Sequence, residues 1–93
     1  MRLTAEERDL LKKTLHTLDP EAEILLFGSR TDDGKRGGDI DLLIRSRSID
    51  RRAVRKLRVA FYEKFGEQKI DIVVDDGTPS PFIDLIANEA LPL

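Results

Sequence analysis

Asp39-Ile40-Asp41-Leu42-Leu43-Ile44 reads as one β-strand with two unlike faces. Side chains alternate across a strand, so Asp39 and Asp41 share one face while Ile40 and Leu42 share the other. Two carboxylates two residues apart stand about 7 Å apart at the backbone and point the same way. They repel each other unless a cation lies between them. Solvated edge positions would also tolerate them, so their meaning depends on what the chain brings beside them.

Upstream, Ile24-Leu25-Leu26-Phe27 is an apolar run with no polar alternation, bounded by Gly28. That pattern suits a central strand covered on both faces. Gly28 lets the backbone turn sharply and lets a ligand come close. Ser29 can offer a hydroxyl and a backbone N–H to a phosphate oxygen, although the pair also reads as a plain turn. Residues 30–38 are polar and glycine-rich, hence a loop, and Gly37-Gly38 leaves room beside the acidic strand.

Downstream, Lys69-Ile70-Asp71-Ile72-Val73-Val74 predicts a third strand with a carboxylate between isoleucines. A charge inside a strong strand is costly to bury unless it is paired or bound to metal. If this strand lies beside the second, Asp39, Asp41 and Asp71 form one cluster. An all-oxygen donor set without His or Cys suits Mg²⁺ or Mn²⁺, and two such ions about 3.5–4 Å apart could clamp an in-line phosphoryl displacement.

Helices are expected between and around these strands. Thr4-Ala5-Glu6-Glu7 has capping-box form and precedes Leu10, Leu11, Leu15 and Leu18, which predicts a helix over residues 5–17 ended by Asp19-Pro20. His16, near its end, reads as a surface residue. Ser48 or Asp50 can cap a helix over 50–65, whose Val54, Leu57, Phe61 and Phe65 form a core stripe before Gly66. Ser80-Pro81 opens a last helix over 82–90, where Phe82, Ile83 and Ile86 are expected in the core, the other reading being an interface that they form with Leu85 and the tail Leu91-Pro92-Leu93. The order α-β-β-α-β-α predicts an α+β (mixed α/β) fold, a small mixed sheet flanked by helices in a single domain over residues 1–93.

Composition narrows the function. The 93 residues include no Cys, which excludes a disulfide framework, a zinc knuckle and a thiol nucleophile. The net charge of −2 excludes a globally basic packaging protein. No apolar run approaches the roughly 20 residues of a membrane span, and the N-terminus has no signal-peptide core, so a cytoplasmic protein is expected. The charge is uneven: between Arg45 and Lys69 nine basic residues face three acidic ones. A solvated helix face and a surface for an anionic partner both fit. A single-strand stacking platform would want more aromatics than Tyr62, so nucleic acid ranks low as a partner.

Together, Gly28-Ser29-Arg30, Asp39-Ile40-Asp41-Leu42-Leu43-Ile44 and Ile70-Asp71-Ile72-Val73 resemble the minimal nucleotidyltransferase (MNT) group of the DNA polymerase beta superfamily. The resemblance covers about residues 22–75. It implies a nucleotidyltransferase-like fold and divalent ions, Mg²⁺ or Mn²⁺, held by Asp39, Asp41 and Asp71 as catalytic ligands. It also implies an NTP, with ATP expected, bound near Gly28, Ser29, Arg30 and Gly38. Ser29 would position the leaving phosphates. Arg30 would offset triphosphate charge or pair with Asp32 or Asp33. The implied reaction moves a nucleoside monophosphate to a hydroxyl and releases pyrophosphate.

Stand-alone members of that group resemble partners of small helical HEPN proteins in toxin–antitoxin pairs. The resemblance therefore implies AMP transfer to a HEPN partner, or an antitoxin or nucleotide-binding subunit that acts by binding alone. With twenty-two residues beyond Asp71, base and acceptor recognition are expected to come from a partner. A purely structural domain with incidental aspartates is the remaining alternative.

Overall fold

The computed structural model describes residues 3–28, 40–66 and 69–93. In chain order its elements are α1 (Ala5–Leu18), β1 (Glu23–Phe27), β2 (Ile40–Arg45), α2 (Arg51–Phe65), β3 (Ile70–Asp75), α3 (Pro81–Glu89) and β4 (Leu91–Pro92). This is the α+β arrangement that the sequence predicts.

Each helix begins where its sequence supplies a cap. Thr4 Oγ1 accepts from Glu7 N at 3.0 Å, and Thr4 N donates to Glu7 Oε1 at 2.9 Å, a complete capping box. Asp50, the second of the two candidates, caps α2 by accepting from Ala53 N at 2.9 Å. Ser80 caps α3, with Pro81 in the first turn. Such a cap contributes about 1 kcal/mol relative to alanine. Gly66 ends α2 at φ 83°, a conformation that other residues adopt only with strain.

The sheet order is β3-β2-β1-β4. β1 runs antiparallel to both β2 and β4, and β2 runs parallel to β3. Adjacent parallel strands need a crossover, which α2 provides. Strand alternation then sorts the core into two layers. Ile24, Leu26, Ile40, Leu42, Ile44 and Ile70 pack against Leu11 and Leu15 of α1 and Leu57 and Phe61 of α2. On the opposite face, Leu25 and Leu43 pack with Ile86 of α3, and Phe27, Val73 and Ile83 join them. β1 and β2 are therefore covered on both sides.

Two expectations change. β4 is an addition: its pairing of Leu25 with Pro92 and Leu26 with Leu91 closes the β1 edge with only two residues, too few to show any alternation. Phe82, expected in the core, is 61% exposed. On α3 the inward stripe is Ile83, Ile86, Ala87 and Ala90, and Phe82 turns away from it with Leu85.

Candidate active site

The site is built where β1 ends and β2 and β3 begin. Register places Phe27 of β1, Asp41 of β2 and Asp71 of β3 in one row across three strands. Asp41 and Asp71 are direct partners in the parallel pair, so their backbones lie about 4.8 Å apart. Both share the α3-side face with Leu43 and Val73, the next residues inward in their strands. Both are half-buried. They stand at the rim of the second apolar layer, where the hydrocarbon packing gives way to solvent.

Gly28 completes this corner. Its φ is 76°, in the left-handed region. Its hydrogen atoms face the Asp41 carboxylate so closely that a Cβ there would collide with Asp41 Oδ2 and stand 3.2 Å from Asp41 Cγ. Glycine is thus required twice: for the backbone conformation and for the space that the Asp41 side chain occupies.

The structure therefore brings together three of the residues singled out from the sequence: Gly28, Asp41 and Asp71. Asp39, Ser29, Arg30 and Gly38 lie outside the described residues. Among the described residues no group of three or more Asp, Glu, His or Cys side chains converges as a metal cage. What the described residues supply is a pair of adjacent carboxylates, hard oxygen donors that fit a divalent cation sharing its shell with phosphate and water.

One residue row at the other end of the same face was not singled out. Glu23, Arg45 and Asp75 stand in register on β1, β2 and β3. The Arg45 guanidinium lies 4.0 Å from Glu23 and 3.6 Å from Asp75. Beyond β2, buried Ser46 donates to Asp19 Oδ2 at 2.5 Å and accepts from Ser48 N and Ile49 N, each at 3.2 Å. This clasp ties the end of α1 to the turn before α2. The Ser46 hydroxyl, helped by Glu21 N, holds the Asp19 carboxyl below the usual carboxylate range. Thr78 N does the same for Asp76 in the turn after β3. The sequence carries only a weak signal for the clasp, a serine directly after a buried strand.

The family comparison fits this geometry. A nucleotidyltransferase domain model matches residues 8–91, a span that runs from the first turn of α1 to the start of β4. The chain belongs to the nucleotidyltransferase domain family. No curated protein matches it. Family membership makes nucleotidyl transfer the general activity and an NTP the substrate. It also gives the row Phe27–Asp41–Asp71 a chemical context, because this family works with divalent metal. No helix of the described residues is long and apolar enough to cross a membrane.

Proposed function

We propose that this nucleotidyltransferase domain moves AMP from ATP to a hydroxyl on a small helical partner of the HEPN family, and so acts as the antitoxin of a toxin–antitoxin pair. The observation that carries the transfer chemistry is the pairing of Asp41 with Asp71 in register beside Gly28. Two carboxylates on neighbouring strands raise each other's energy unless positive charge is shared between them. Asp39, Asp41 and Asp71 would hold Mg²⁺ or Mn²⁺. The ion, when bound, neutralises triphosphate charge and lowers the pKa of the attacking hydroxyl.

The chain's own groups do the rest. The absence of a side chain at Gly28 lets the triphosphate approach the strand end. From the family resemblance, Ser29 would position the leaving phosphates, and Arg30 and Gly38 would belong to the same nucleotide site. The Asp71 carboxylate orients the acceptor hydroxyl and takes up its proton. The acceptor oxygen forms a bond to the α-phosphorus, the bond from that phosphorus to the bridging oxygen breaks, and pyrophosphate leaves with the electron pair. Phe82 and Leu85, exposed side by side on α3, offer the partner an apolar contact on the same face of the sheet.

The test uses ATP labelled at the α-phosphate, mixed with the purified chain and its helical partner. Label is expected on the partner with wild type and not with Asp71→Asn. Label from γ-labelled ATP instead would sink the reaction. Mg²⁺ with ATP should also raise the melting temperature of wild type and leave an Asp39→Ala/Asp41→Ala variant unmoved. A thermal shift without any transfer would favour an antitoxin that acts by binding alone.

A further inference from the structure

The outer edge of β3, turned away from β2, carries a different chemistry. β3 is the outermost strand on its side of the sheet. Ile40 N donates to Lys69 O and Ser46 N to Asp75 O, each at 3.0 Å. In the parallel ladder between these two bonds, Asp71 and Val73 turn their N–H and C=O groups toward β2. Those of Ile70, Ile72 and Val74 therefore turn outward. Ile70 O already has a partner, since Arg58 Nε donates to it at 3.1 Å. Among the described residues, no backbone group pairs with the outward N–H and C=O of Ile72 and Val74.

A cleft of about 820 Å³ runs along this edge between β3 and α2. Its walls include the apolar side chains of Val54, Val59, Ile72 and Val74, and its rim includes Arg51 and Arg55. Val59 is 45% exposed and adds apolar surface to the open side of the cleft. No carboxylate of the described residues forms an ion pair with Arg51 or Arg55. The two aspartates at the cleft are occupied elsewhere: Asp50 caps Ala53 N, and Asp76 accepts from Thr78 N. The cleft thus combines open backbone groups, an apolar wall and a net positive lining, with Arg47, Arg51, Arg55 and Arg58 against Asp50 and Asp76.

We propose that this edge docks an extended acidic segment of a partner protein, which adds to β3 as a further strand. Charge complementarity selects an acidic occupant. The open backbone selects a peptide, because main-chain bonds supply the affinity when a strand is added to a sheet edge. A phosphate backbone fits less well. It offers only acceptors, which would meet the outward carbonyls of Ile72 and Val74 with no donor, and half-buried Tyr62 is the one aromatic available for base stacking. The docking uses neither Gly28, Asp41 nor Asp71, so it stands or falls apart from the transfer reaction.

The probe is a blocked, fluorescent peptide in which Glu and Val alternate, long enough to span β3. It should bind the full chain without nucleotide, weaken with added salt, and slow amide exchange at Ile72 and Val74 in ¹⁵N spectra. Arg51→Glu/Arg55→Glu, two exposed helix positions whose folding circular dichroism would verify, should weaken it about tenfold or more. The same peptide N-methylated at every second amide should lose as much, because it cannot donate to the edge. An oligouridylate should bind more weakly than the peptide. The proposal is overturned if the peptide does not bind at about 1 mM, or if the charge-reversed protein binds it equally. It is equally overturned if the protection falls on α3 instead of β3, or if oligouridylate binds more tightly.

Discussion

The two ends of one sheet face solve the same electrostatic problem in opposite ways. At the end where β2 and β3 finish, the row Glu23–Arg45–Asp75 places a cation on the middle strand between two carboxylates. At the end where they begin, the row Phe27–Asp41–Asp71 sets two carboxylates on neighbouring strands. Both rows share one backbone geometry and flank one apolar layer, so the difference lies in side-chain chemistry alone. In the first row the sequence itself distributes opposite charges, as a structural row would. In the second it concentrates like charges at a strand end that also has a left-handed glycine against a carboxylate. Stability alone would not favour that choice, since like charges directly opposite destabilise a sheet by a few tenths of a kcal/mol or more. The ligand-binding role proposed above would account for it.

The sharpest way to break this contrast is to neutralise the second row. Asp41→Asn and Asp71→Asn should each lower nucleotidyl transfer by at least about 100-fold, equivalent to roughly 2.7 kcal/mol in the barrier. Both variants should stay folded in metal-free buffer, so that the lost transfer reports on the chemistry and not on the fold. Transfer assays and urea titrations on the same preparations check both halves. Full activity with either asparagine would reduce the row to surface charge. Next in size, Gly28→Ala should cost about 1–3 kcal/mol in urea unfolding, because it adds left-handed strain to a collision with Asp41. If this variant keeps wild-type stability, the corner is more forgiving than its geometry indicates.

Much of this was legible beforehand because it rests on local rules. The capping box at Thr4–Glu7, the Asp50 and Ser80 caps and the glycine at 66 mark three helices within a residue or so of their ends. Alternation in β2 and the charge inside β3 predict a carboxylate row, and the parallel register supplies it for Asp41 and Asp71. Non-local pairing is what the sequence hides. Nothing in Leu91-Pro92 says that it will close the β1 edge, and nothing in Glu23, Arg45 and Asp75 says that three strands will line them up. Phe82 was misplaced because α3 is apolar on both sides, so composition could not tell its inward stripe from its outward one. The Asp19–Ser46 clasp joins residues 27 apart, beyond the reach of any periodicity.

That clasp gives a pH-dependent test. Asp19 is held below the usual carboxylate range by the Ser46 hydroxyl first and Glu21 N second. A group whose pKa is lower in the folded state stabilises the fold above its unfolded pKa and loses that contribution as pH falls through the folded value. Asp19→Asn should therefore be less stable than wild type at neutral pH. The gap should begin to narrow below about pH 4, near the unfolded-state pKa, and close only once the pH has fallen through the lower folded-state value, where Asp19 too is uncharged. Thermal melts across the acid range measure it, and a gap that persists at low pH would assign the effect to shape instead of charge.

The smallest effect concerns the balanced row, and it sharpens the contrast most directly. Arg45→Met keeps the alkyl packing on β2 but leaves Glu23 and Asp75 without their cation. The Arg45 side chain is 41% exposed and the ion-pair distances are 3.6 and 4.0 Å, so the loss should be only about 0.5 kcal/mol at low salt and fade as salt is added. Mg²⁺ separates the two ends. Carboxylates at the variant's Glu23 and Asp75 flank a strand position between them and are not neighbours, so millimolar Mg²⁺ should not restore the lost stability. At Asp41 and Asp71, on adjacent strands, Mg²⁺ with ATP should raise the melting temperature of the same variant as much as it does for wild type. A Mg²⁺ response at the Arg45 end would mean that any exposed pair of carboxylates on this face suffices, and that adjacency in register is not what selects the ion.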